Sequence, residues 1–74
     1  MTIRIEIPDA DAALIKEALL TAHSDEPHSN SHGPLNLKLL ARMLLEDVAL
    51  AVQRPGSWEG ANMLRVLECH GYRL

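Results

Sequence analysis

A chain of 74 residues with formal charge −3, a pI near 5.7, one tryptophan, one tyrosine and no phenylalanine can build one small core at most. Cys69 stands alone, so no intrachain disulfide staples that core, and a metal or self-association is left to supply the shortfall. The acidic balance weighs against nucleic acid as a partner. The uncharged apolar runs fall short of the ~18 residues of a membrane span, and no basic stretch leads an apolar signal segment, so a cytoplasmic chain without a membrane partner is expected.

Taken in chain order, the first segment is TIRIEIPD, Thr2 to Asp9. Ile3, Ile5 and Ile7 alternate with Thr2, Arg4 and Glu6 until Pro8 ends the run, the period of a strand with one apolar and one polar face. Asp9 can cap the helix that follows, and Asp9 and Asp11 both sit where its dipole favours negative charge. Ala10, Leu14, Ala18 and Ala22 recur every fourth residue, joined by Ala13, Ile15, Leu19 and Leu20, which predicts an amphipathic helix to about His23.

SDEPHSNSHGP, residues 24–34, is polar and aperiodic and predicts a long loop. Pro34 suits the first turn of a second helix, Leu35 to about Gln53. That helix is apolar over more than half its circumference, more than one short chain can cover. Pro55-Gly56 breaks it, Ser57 can cap a third helix from Trp58 to about His70, and Gly71 stops that one. Residues 1–53 thus make a core with its inter-helix loop at 24–34, and 57–74 a C-terminal helical extension.

The expected fold is mostly α with one N-terminal strand, and that strand has no second strand in the chain to pair with. Pairing with the same strand of a second copy across a two-fold axis, with the second helix packed on its mate, would resolve both the lone strand and the over-apolar helix.

On three stretches the chain resembles the ribbon-helix-helix DNA-binding family, the Arc/MetJ class of small bacterial repressors and antitoxins. These are TIRIEIP with its closing Pro8, the following helix with Leu14, Ala18 and Leu19 inward, and GPLNLKLL, Gly33 to Leu40. The resemblance implies a β-α-α homodimer with an intermolecular antiparallel two-stranded ribbon. Ile3, Ile5 and Ile7 would then fill the dimer core with Leu39 and Met43. Thr2, Arg4 and Glu6 would enter the major groove, where Arg4 can fork onto guanine O6 and N7 and Glu6 can accept from cytosine N4. Gly33, Leu35, Asn36 and Lys38 would bind phosphate at the second helix's N-terminus, with Ser29, Asn30, Ser31 or His32 as substitutes.

The function expected from this is a sequence-specific DNA-binding regulator of bacterial type: not an enzyme, without cofactor or metal, partnered by a second copy and by double-stranded DNA. The alternative is an acidic helical dimer acting as a protein-binding adaptor, chaperone or antitoxin-like module without DNA. His23, His28 and His32, with Asp25 and Glu26, match no metal-ligand spacing and read as a polar loop. Cys69 and His70 are adjacent on a helix, point ~100° apart and lack a third orienting group, so Cys69 is expected near the third helix's buried side. Glu46-Asp47 reads as a solvated flank. Trp58 either closes the core by folding the third helix back or, with Met63, Leu64 and Leu67, anchors a protein partner.

Overall fold

The computed structural model describes residues 1–22 and 32–74. They form three helices, α1 (Asp9–Thr21), α2 (Leu37–Gln53) and α3 (Trp58–Cys69). The chain divides into two compact units, Met1–Leu39 and Leu40–Leu74, with the boundary inside α2.

The N-terminal strand is not formed. Thr2–Ile7 is neither strand nor helix, and no strand occurs among the described residues. The β-α-α ribbon-helix-helix fold, with its two-stranded ribbon, is therefore corrected to an all-helical one. The reason is physical: a strand is held by a ladder of N–H···O=C bonds to a neighbour, and alternation supplies faces without supplying that neighbour. Every residue from Thr2 to Ile7 is exposed, apolar and polar alike.

In the first unit, α1 starts without a side-chain cap. Pro8, at φ −53° and ψ 138°, makes the turn into the helix, and its carbonyl accepts from the Ala12 N–H at 2.9 Å. Asp9 is thus the first helical residue and not the cap, though with Asp11 it still places negative charge at the positive dipole end. At the far end the Thr21 hydroxyl donates to the Ala18 carbonyl at 3.0 Å, a local bond of the kind that competes with helix continuation. Ala12, Ile15 and Leu19 are the half-buried stripe, three and four residues apart; Leu14 and Ala18, expected inward, are exposed.

Asn36, not Pro34, sets the start of α2. Its Oδ1 accepts the Leu39 N–H at 2.8 Å, which satisfies one of the donors a helix N-terminus leaves unpaired. Leu35 accordingly stays outside the helix.

In the second unit one hydroxyl joins two helices. Ser57 Oγ donates to the Arg54 carbonyl at 2.7 Å and accepts from the Gly60 N–H at 3.1 Å, closing the end of α2 and capping α3 together. Gly60 is buried, and a Cβ there would lie 2.6 Å from the carbonyl oxygens of both Leu50 and Arg54. Ala51, 6% exposed, is the buried hydrophobic residue of the described chain. Met63, Leu64 and Leu67, at three, four and seven residues from Gly60, are half-buried. α3 ends in a full Schellman motif: Gly71, at φ +88°, donates to the Glu68 carbonyl and Tyr72 to that of Leu67, at 2.9 and 3.0 Å.

Two glycines respond oppositely to a methyl group. Gly60→Ala must push backbone away from two carbonyls and, after a helix-propensity gain of about 1 kcal/mol, is expected to destabilise the chain by about 1–2 kcal/mol. Gly56→Ala meets nothing within 4 Å and is expected to be neutral or to stabilise by up to ~1 kcal/mol. Denaturant unfolding of both variants beside the parent measures the contrast.

Candidate functional site

The residues expected to read DNA bases, Thr2, Arg4 and Glu6, are exposed, and so are Ile3, Ile5 and Ile7, expected in the dimer core. Ile3 is 55%, Ile5 62% and Ile7 38% exposed, so the alternation does not sort these side chains into an inner and an outer set. Leu39 and Met43, the rest of the expected dimer core, are half-buried.

The four residues expected to hold phosphate are placed unevenly. Gly33 is half-buried at φ +63°, and Leu35 is half-buried. Asn36 spends its Oδ1 on the cap of α2, while Lys38 is exposed in the first turn. Leu35, Asn36, Leu37 and Lys38 form instead one wall of an open groove of about 500 Å³. The other wall is the end of α1, Lys16, Leu19 and Leu20. The groove lies wholly within the first unit. Its lining is dominated by leucine, and each wall carries one exposed lysine. Sequence reading missed it because Lys16 and Lys38 lie on separate helices, and only the return of the chain after residue 31 brings them to one groove. A second concavity, of about 600 Å³, is lined by Glu68 and the stretch Gly71–Leu74 in the second unit.

The residues that mimic catalytic sets are occupied locally. Glu46 Oε1 accepts from Arg42 Nε at 2.9 Å, four residues back on an exposed face, a geometry that contributes about 0.3–0.5 kcal/mol. Its neighbour Asp47 is half-buried. His70 Nδ1 lies 2.9 Å from the Val66 carbonyl, as a donor in the tautomer that carries a proton there, which ties the ring to its own helix. Cys69 is free and exposed, not set near the buried side of α3. Trp58, at 72% exposure, does not close a core, whereas Met63, Leu64 and Leu67 are half-buried on α3. His23, Asp25, Glu26, His28, Ser29, Asn30 and Ser31 lie outside the described residues. His32 is exposed, and no group of three His, Cys, Asp or Glu that could hold a metal occurs among the described residues. No described helix is long and apolar enough to cross a membrane.

No family of known proteins matches the chain, and no characterised protein or solved structure matches it either.

Cys69 supplies a direct check of this arrangement. Under reducing preparation, a thiol-specific chromogenic reagent is expected to label it in the native chain at nearly the rate seen in denaturant; a strongly protected thiol would place it against another surface.

Proposed function

We propose that this chain is a non-enzymatic protein-association module, whose apolar faces are completed by a second polypeptide. The observation that carries this reading is the distribution of apolar surface. Among the described residues burial stops at Ala51 and Gly60, while Leu14, Leu20, Leu45, Val52 and Val66 stay exposed on the three helices. Burying a side chain of this size is worth about 1.5–3 kcal/mol. Leaving these five largely in water therefore forgoes on the order of 5–10 kcal/mol, comparable with the whole stability of a small domain. A partner that covers them changes the balance between folded and unfolded chain. The lone cysteine fits a reducing, cytoplasmic setting for that association.

A sequence-specific DNA-binding regulator is the second reading. What supports it is the exposure of Thr2, Arg4 and Glu6, with Lys38 exposed at the start of α2. Against it stand Asp9 and Asp11, whose carboxylates repel phosphate next to that stretch, and the absence among the described residues of a strand to carry the side chains into a groove.

The two readings separate on dilution. In the first, the dilute chain is expected to bind an apolar fluorescent dye and to melt broadly, and random-sequence DNA duplexes show no salt-dependent binding. A dilute chain that melts sharply, at a temperature independent of concentration, and leaves the dye dark covers its own faces, and the association reading fails. Duplex binding that falls steeply with salt supports the second.

A further inference from the structure

We propose that the groove of the first unit takes the segment from Ile3 to Asp11 of a second copy of this chain. This rests on the association reading above and names its partner. The groove and the segment are complementary in both polarity and charge. Leu19, Leu20, Leu35 and Leu37 offer an apolar floor, and Lys16 and Lys38 add one cation from each wall. The segment offers Ile3, Ile5 and Ile7, all exposed, with Glu6 between the last two and Asp9 and Asp11 following Pro8 in the first turn of α1. Against the single cation of Arg4, the three acids leave the segment at −2, equal and opposite to the two lysines.

Shape points the same way. An extended chain rises ~3.3 Å per residue, so Ile3 to Ile7 spans ~13 Å and can lay alternate side chains along one floor. None of Ile3, Ile5 and Ile7 lines the groove of its own chain, and Ile3 and Ile5 are more than half exposed. Pro8 feeds straight into α1, and Leu19 lies eleven residues further on, ~16 Å along the helix axis. Reaching its own groove would require the segment to double back at a residue whose φ is locked. A second copy meets no such constraint, and exchange of segments in both directions gives a closed two-fold pair. No strand pairing between the two segments is involved.

The test is sedimentation equilibrium of the full chain under reducing conditions, with circular dichroism to confirm helix content. All the altered positions are exposed, so the folded helices are expected to persist. The parent is expected to dimerise, and Ile5→Glu, and Lys16→Glu with Lys38→Glu, should each weaken the dimer at least tenfold. Chains carrying Glu6→Lys and chains carrying Lys38→Glu should each associate poorly alone and recover a mixed dimer when combined. A dimer unchanged by these substitutions removes the groove from the interface and leaves the association reading standing. A chain that stays monomeric while still binding the apolar dye removes the second copy and leaves a different polypeptide as partner. A monomer that leaves the dye dark overturns both.

Discussion

The approach of α3 to the Leu50 and Arg54 carbonyls, close enough that only hydrogen fits at Gly60, fixes how the second unit closes. Ser57 holds that approach by bonding to the last turn of one helix and the first turn of the next. The contact is intimate because its residues are small, and for the same reason it covers little. Burying the Ala51 methyl is worth about 0.8 kcal/mol, against about 1.5–3 for a leucine or valine taken fully from water. Leu45, Val52 and Val66 are left outside it. A helix pair built on glycine and alanine is positioned by its backbone and short of hydrophobic stabilisation.

The first unit has the same shortage for a different reason. α1 has good helix formers throughout and no fully buried residue. Its half-buried stripe is Ala12, Ile15 and Leu19, so two of the three positions that face inward on successive turns are large, while Leu14 and Leu20 project elsewhere. Apolar residues spread around a helix cannot all be covered from one side. The leucines that α1 and the approach to α2 do bring together line an open groove and not a closed core. On the proposed association, folding and binding would be parts of one equilibrium, as in chains whose monomer has little stability by itself.

What the sequence made legible was what its neighbours decide. Ser57 and Gly71 bound α3 because a cap and a left-handed stop need only a few adjacent residues, and Pro55-Gly56 ends α2 for the same reason. Asn36 obeys the same logic, since a side-chain acceptor three residues before an unpaired N–H is a stronger start signal than a proline two residues earlier. The facing of α1 and the exposure of Trp58 were not legible, because each depends on which surfaces meet in space. The groove was legible only as two leucine-rich stretches with a lysine in each. The ribbon in that family resemblance rests on the period of two in TIRIEIP, and periodicity describes which side chains share a face without describing what the backbone bonds to.

That distinction bears on why TIRIEIP alternates at all. An extended segment laid on a surface needs alternate apolar side chains as much as a strand does, since neighbouring residues point to opposite sides. Holding the five residues from Ile3 to Ile7 in one conformation costs about 1–2 kcal/mol each, on the order of 5–10 in all. Covering what is exposed of three isoleucines, about one and a half side chains' worth, returns on the order of 2–5 kcal/mol. That falls short of the ordering cost, so the apolar contact alone does not carry the association. The margin falls to the segment's backbone groups, worth about 0.5–1.5 kcal/mol for each hydrogen bond gained, and to carboxylates meeting lysines at about 0–1 kcal/mol per exposed pair. Association of the proposed kind would, on this balance, be reversible and sensitive to single charges.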